Sequence, residues 1–462
     1  MPASAAPAAA RAAAIAAATW AALLSAVGCG GSADPKRPSN VVAEVSDQIA
    51  TVVHVRWTTD APTTGYVEYG TAAADLGART PVEATATGAH AVSLLGLTAD
   101  TVTFFRVVTS DGSAAGATSA VLNIRTGNLP VGLPSLTQTG SGFDGFIVVP
   151  LLGTKRAVVI LNARGEIVWY HSDDRDLDSY RARLSVDGAS LIYNAAKISG
   201  EPSPDSALVR VALDGSETSA ISIPLLAHDF VEHPDGTLGA LAFEDRDVNG
   251  TRVRGNKIVE VAPDGTQSTV WTSWRCFDPS KDPGDDPSQG WTFTNALDYD
   301  PAEQAYYVGM RNFSSIAKVD RATGACKWVL GLYGATFTIA SGSARFLHQH
   351  QFQVRGNRIL IMDNDGGRGA VDQSRVLEYQ LDYDTLQATQ TWSYLSNPPV
   401  YTFVLGEPIR LDDGGVFVNW STAGQMERLD ATGAQVWKLN TGAGFAFSFQ
   451  TLANNLYSGG QP

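Results

Sequence analysis

Charge is scarce in this sequence, and positive charge is the scarcer kind. Only 17% of the 462 residues are charged, against about 25% in a typical soluble chain. Lys+Arg number 33 and Asp+Glu 47, for a formal net charge of -14. That deficit excludes a nucleic-acid partner, because nothing here could neutralise a run of phosphates. Cysteine is scarcer still: the chain has 3, too few for a disulfide scaffold. No amphipathic helix of useful length is found, nor the run of about 20 strongly apolar residues that a membrane-spanning helix needs. By contrast, 44% of residues are hydrophobic and 9% aromatic, which excludes a disordered chain. The 45 glycines make up about a tenth of the chain, against an average of about 7%, and favour many tight turns. The expectation is an acidic, turn-rich, mostly β protein. Its length suits roughly two to four domains, or one repeat array beside something small.

The first 28 residues are set apart by alanine. Arg11 is their only side-chain charge, Ala12 to Val27 is apolar, and Ala26-Val27-Gly28-Cys29 closes the segment. A charged start, an apolar middle and a small-residue end describe an export signal. The final tetrad resembles a bacterial lipobox, which implies lipidation of Cys29 and a membrane attachment through it. Cleavage by an ordinary signal peptidase is the alternative, because Leu is more usual where Ala26 stands. Gly30 follows the cysteine rather than Asp, which points to the outer membrane, facing the periplasm or the cell surface. Residues 29–40 form a flexible tether. Export places Cys276 and Cys326 in an oxidising compartment, where they either pair or stay as two isolated thiols.

Residues 41–127 alternate apolar and polar side chains in short runs split by turn residues, the pattern of an all-β sandwich. The order Trp57-Thr58-Thr59-Asp60, Val67-Glu68-Tyr69-Gly70, Leu97 to Thr101 and Phe105-Arg106-Val107 resembles a fibronectin type III domain. It departs from that family at Thr103, where a corner tyrosine is usual. A boundary follows around Pro130 and Pro134. From 135 to 462 the chain repeats itself. A strand, a small-residue turn and a Trp-tipped strand recur, ending at Trp169, Trp271, Trp328 and Trp437. A second unit is a strand, an acidic or glycine turn and an apolar strand, centred on Asp187-Gly188, Asp235-Gly236, Arg355-Gly356 and Asp413-Gly414. Together these units give about six repeats of roughly 45–60 residues, the period of propeller blades. The fold expected is a six-bladed β-propeller behind a small sandwich, with seven blades as the alternative.

Aligning the repeats on their turns brings three segments into one register: His228-Asp229-Phe230, Phe293-Thr294-Asn295 and His348-Gln349-His350. On strands, residues i and i+2 share a face. His228, Phe293 and His348 are then expected in one tier of the central channel, and Phe230, Asn295 and His350 in another. The next strands return to the same rim and end in Met310-Arg311-Asn312, Met362-Asp363-Asn364 and Val418-Asn419-Trp420. The bland alternatives are an Arg311–Asp363 rim ion pair and a turn-capping His228, with His233 and His171 as surface residues. The sharper ones are a metal bound by His348 and His350 with Asp229 or Asp363, or a nucleophilic histidine facing an anion held by Arg311.

The stretch from Trp291 to Trp392 resembles the bacterial arylsulfate sulfotransferases. The matching runs are Asn295-Ala296-Leu297-Asp298-Tyr299-Asp300, Arg311-Asn312, Lys318-Val319-Asp320, Lys327-Trp328, Gln349-His350, Asp363-Asn364 and Glu378-Tyr379, with His228-Asp229-Phe230 upstream. The resemblance implies a propeller enzyme that uses no nucleotide sulfate and no cofactor. Aryl sulfates and phenols are its partners, and nothing in the sequence sets an oligomeric state. It also implies that His350 carries the sulfuryl group transiently, with His228, Arg311 and Asn295 around it. His348, Phe293, Asp363 and Asn364 are expected to line the substrate pocket. Sulfuryl transfer has a loose transition state with charge on the equatorial oxygens, so positioning and cationic stabilisation dominate. One departure stands out. The family has a histidine two residues before the asparagine, and here that position is Phe293, which cannot donate to an oxyanion. The loss of such a donor can cost about 10²–10³ in rate. A non-catalytic propeller that binds anionic or aromatic ligands is therefore the alternative to an enzyme.

Overall fold

The computed structural model describes residues 36–110, 116–173, 175–285, 290–365 and 373–457. The expected export segment and Cys29 lie outside them. Among the described residues the structure is all-β, with helical geometry confined to short 3-10 turns such as Arg311–Phe313. None is a helix long and apolar enough to cross a membrane.

The N-terminal strands make a small sandwich around one long strand, Val53–Gly70. Its first part pairs with Ser39–Val45 and Thr87–Leu94, and its last part with Val102–Ser110 and Ala78–Arg79. Alternating residues of this strand turn inward, so Val53, Val55, Trp57, Val67 and Tyr69 meet Leu94, Phe105 and Val107 in one core. His90 is buried here, stacked on Trp57 with ring centroids 4.7 Å apart and bonded to Glu83 at 2.6 Å.

Six further sheets of four or five strands follow. A representative one is the meander Leu226–Glu232, Leu238–Val248, Thr251–Val261 and Gln267–Thr272. Its first turn is written in the sequence. The Asp235 carboxylate accepts the Thr237 amide at 2.9 Å, and Gly236 takes the left-handed conformation (φ 83°). The turns read at Asp187-Gly188, Asp235-Gly236, Arg355-Gly356 and Asp413-Gly414 each join the innermost strand of a sheet to the next one out, and the four Trp-tipped strands lie further out. The circle is closed by strands from both ends of the propeller segment. Leu136–Gly140 pairs with Gln435–Thr441, while Phe146–Gly153 pairs with Phe445–Phe447 and Thr451–Ala453. Buried apolar clusters fill the spaces between neighbouring sheets. Cys276 and Cys326 form a disulfide, with Cα atoms 6.0 Å apart.

The sandwich and the propeller share a packed boundary. Thr51 donates to the Val168 carbonyl at 2.8 Å and Ala50 N–H to the Tyr170 hydroxyl at 2.9 Å. Tyr457 returns from the end of the last sheet into the sandwich. Its hydroxyl meets Leu95 N at 2.9 Å, and the Ser93 carbonyl and Tyr69 hydroxyl at 3.1 Å each.

Candidate functional site

The inner strands of the sheets meet around the propeller axis through a girdle of buried polar groups. Arg181 is 1% exposed, and its Nε donates to Asp229 Oδ1 at 2.9 Å. Its Nη1 donates to Glu407 Oε2 at 2.8 Å and to the Gln450 carbonyl at 2.7 Å, and its Nη2 donates to Glu407 Oε1 at 3.1 Å. The other Asp229 oxygen accepts from Leu297 N and from Gln351 Nε2. Six inner segments are thereby tied together across the axis. Burial raises the Glu407 carboxyl despite the guanidinium beside it, which lowers it.

Above this girdle sit His228 and His350, both 1% exposed, with ring centroids 6.4 Å apart and nearly perpendicular. Aromatic rings enclose them: Phe293 edge-on to His228 at 4.9 Å, Tyr180 at 5.8 Å from His228, and Phe449 at 6.3 Å from His350. Desolvation is the first cause holding both imidazoles neutral, and the Arg311 charge adds to it. His228 is pushed down to about 3, and His350 well below the usual histidine range. His228 Nδ1 has no hydrogen-bond partner among the described residues. His350 Nδ1 lies 2.9 Å from Asn364 Oδ1, and the Asn364 amide nitrogen bonds the Thr402 and Leu405 carbonyls at 2.8 and 2.9 Å.

Arg311 occupies a 3-10 turn at the end of the strand Ala305–Met310, with its backbone N–H on the Phe293 carbonyl at 3.1 Å. The Arg311–Asp363 ion pair, the bland alternative, is not made. Asp363 is fully buried, accepts from Arg375 Nε at 2.8 Å and from Leu347 N at 2.9 Å, and is raised by burial to about 6. Asp363 thus anchors the segment before His350. Asn295 is also fully buried, and its Nδ2 donates to the Gln349 carbonyl at 2.8 Å. That side chain lies over Gly309, where a Cβ would sit 3.0 Å from both Ala296 Cβ and Phe352 Cε1 and 3.4 Å from Asn295 Oδ1. Glycine keeps the room in which this amide supports the His350 backbone.

The two expected tiers do not form as aligned. Phe293 (φ 44°) and His348 (φ 51°) both take left-handed backbone, and the strands begin only after them, at Thr294 and Phe352. The two-residue alternation fails at such a kink. His348 therefore turns away from His350. Its Nδ1 lies 2.6 Å from Asp365 Oδ2 and its Nε2 3.7 Å from Asp285 Oδ2. Phe230 goes into the core between sheets. His228, Phe293 and His350 are the residues brought together. Among the described residues no group of three or more His, Cys, Asp or Glu is arranged to hold a metal. His233 is 1% exposed rather than at the surface, stacked on Tyr299 at 3.8 Å and bonded to the Tyr306 hydroxyl at 2.8 Å.

Sequence reading missed Arg181 and Glu407, although a signal was present. Each lies six residues before its turn, Asp187-Gly188 or Asp413-Gly414, as Asp229 lies before Asp235-Gly236. Extending the alignment to those two repeats would have placed three charges at one level of the axis.

The fold and this arrangement define a β-propeller that holds two buried, neutral imidazoles under the field of a guanidinium. The family model described as Arylsulfotransferase (ASST) matches residues 138–455, and the chain belongs to that family. Membership supports aryl sulfotransferase activity in general, and the family implies aryl sulfates and phenols as substrate classes. A search of curated proteins finds no match. Solved structures similar to this chain include a streptogramin B lyase, at 10% identity and TM-score 0.38, covering 67% of this chain and 98% of that one. A putative 6-phosphogluconolactonase from Bacteroides fragilis is 8% identical with TM-score 0.40, covering 68% and 100%. Apo AztD from Citrobacter koseri is 12% identical with TM-score 0.32, covering 89% and 97%.

Proposed function

We propose that the protein moves a sulfuryl group from an aryl sulfate to a phenol by a ping-pong route through Nε2 of His350. In the first half, an N–S bond forms at His350 while the S–O bond to the aryl group breaks. The phenoxide leaves with the electron pair and is protonated by solvent water. In the second half, an acceptor phenol oxygen bonds to sulfur, the N–S electrons return to His350, and the phenol proton passes to a base. The observation that carries this reading is a buried, neutral His350 beside a neutral His228, under the field of Arg311. A neutral imidazole is a competent nucleophile with no prior proton loss. Arg311 supplies the cationic charge that the equatorial oxygens need. Asn295 acts from behind, through the Gln349 carbonyl that precedes His350.

His228 serves the proton. At about 3 its ring is too weak a base in the empty site. A bound sulfuryl anion offsets the burial that depresses it and raises its basicity toward the working range. Phe293, where the family has a histidine, supplies a ring against His228 and no donor. A non-catalytic binder of anionic or aromatic ligands is the second reading, and Phe293 is the observation that favours it.

The protein is proposed to work outside the cytoplasm, exported by residues 1–28 and anchored by a lipid at Cys29. The Cys276–Cys326 bridge supports an oxidising compartment. The sandwich, in its fibronectin type III-like role, is a spacer between tether and propeller. Steady-state release of the donor phenol, measured with and without an acceptor phenol, tests the activity. Parallel double-reciprocal lines are expected. Binding of the aryl sulfate without any acceptor-dependent release would leave the binder reading in its place.

A further inference from the structure

We propose that Asn364 decides which nitrogen of His350 attacks, by holding the proton on Nδ1 and leaving the lone pair on Nε2. The proposal rests on His350 being the nucleophile.

The geometry leaves the amide one orientation. Asn364 faces two backbone carbonyls, Thr402 at 2.8 Å and Leu405 at 2.9 Å. Carbonyls only accept, so the NH₂ group must point at them, and both its hydrogens are used. Oδ1 then faces His350 Nδ1 at 2.9 Å. An acceptor can be met there only by an N–H. Asn364 is fully buried and His350 is 1% exposed, so water does not compete for either group.

The clamp is itself held in place. Ser374 Oγ, with one hydrogen to give, lies 2.9 Å from the Asn364 backbone carbonyl and 3.1 Å from the Thr402 carbonyl, and accepts the Thr402 amide at 3.0 Å. Segment 402–405 thus sets the tautomer of His350 through Asn364. The choice of amide over carboxylate also has a chemical consequence. An aspartate could accept the same N–H, but it has no hydrogen for the Thr402 and Leu405 carbonyls, and its charge would favour the imidazolium and occupy Nε2 with a proton at neutral pH. The amide orients the ring without charging it. During transfer Nδ1 keeps its proton. As the N–S bond forms at Nε2, the positive charge gained by the ring is met by the Asn364 carbonyl dipole.

The test has two arms on the full chain. Nitrogen-15 NMR of ring-labelled histidine, with His350→Gln for assignment, reads the tautomer of the wild type directly. The expected result is a neutral ring protonated at Nδ1 from pH 5 to 8. A proton on Nε2 would overturn the proposal, whatever any variant does. Kinetics form the second arm. Asn364→Ala is expected to lower kcat about 10²-fold or more with KM little changed, since a histidine in the wrong tautomer costs up to about 10⁴ in rate. Asn364→Asp is expected to regain rate as pH rises through a newly elevated His350 pKa, a limb absent from wild type and from Asn364→Ala. An Asn364→Ala kcat within about threefold of wild type contradicts the proposal. A wild-type ring protonated at Nδ1 in a protein that turns over no aryl sulfate would keep the tautomer assignment and remove the transferase reading.

Discussion

Arg181 is the residue whose loss the structure penalises most clearly, and Arg181→Met removes its charge while keeping much of its bulk. The guanidinium makes four hydrogen bonds, two of them to Glu407, one to Asp229 and one to the Gln450 carbonyl. It also lies over the Phe449 ring, with Cζ 4.9 Å from the centroid. Removing one partner of a buried ion pair costs about 3–5 kcal/mol, chiefly because the other charge is left buried and uncompensated. A domain's whole stability is about 5–15 kcal/mol. The variant should therefore unfold at markedly lower urea than wild type. The sign of its pH dependence follows from Glu407. Burial already raises this carboxyl above its ordinary 4.5, and Arg181 is its main restraint. Without the guanidinium, the folded state holds a proton that the unfolded chain has released at neutral pH. Stability then falls as pH rises, so the deficit relative to wild type shrinks as pH drops from 7.5 toward 5. Urea melts of both proteins at several pH values, followed by tryptophan fluorescence, measure this. A deficit below about 1 kcal/mol, or one that grows on acidification, would refute the girdle's role.

Three further outcomes are expected. His228 and His350 stay neutral when folded, so the unfolded chain binds protons more readily than the native one, and stability should fall as pH drops from 6.5 toward 3. Proton uptake on acid unfolding checks that sign, and it should diminish in His228→Phe. Tyr457→Phe strips a hydroxyl from Leu95 N, Ser93 O and Tyr69. It should cost about 1–3 kcal/mol and make the junction between sandwich and propeller more sensitive to protease. Replacing both Cys276 and Cys326 by Ser opens a 50-residue loop, with an expected loss of about 2–4 kcal/mol in chemical denaturation and no change in kcat.

The parts of the fold legible in the sequence are those governed by local rules. Asp235-Gly236 and Asp413-Gly414 mark turns because the side chain and the glycine each favour that backbone, whatever surrounds them. The alternation along Val53–Gly70 marks a half-buried strand for the same reason. The contact of His228 with Phe293 followed from aligning those turns, whereas the alignment put His348, not His350, in their tier. What escaped were features set by distant contacts. The left-handed backbone at Phe293 and His348 turned His348 toward Asp285 and Asp365, and no periodic rule anticipates such a kink. Asp363 found Arg375 rather than Arg311 because its strand is paired with the strand that Arg375 opens. His233 lies beside a turn, as surface residues do, but Tyr299 and Tyr306 cover it.

The central claim is that His350 carries the sulfuryl group between donor and acceptor. Mixing the full chain with an excess of aryl sulfate and no acceptor, quenching early and mapping the adduct by peptide mass measures this directly. The expected result is a burst of phenol stoichiometric with protein, a sulfuryl adduct on the peptide bearing His350, its discharge on adding a phenol, and neither burst nor adduct in His350→Ala. Phenol release that requires both substrates together, or an adduct mapped to another residue, would contradict it.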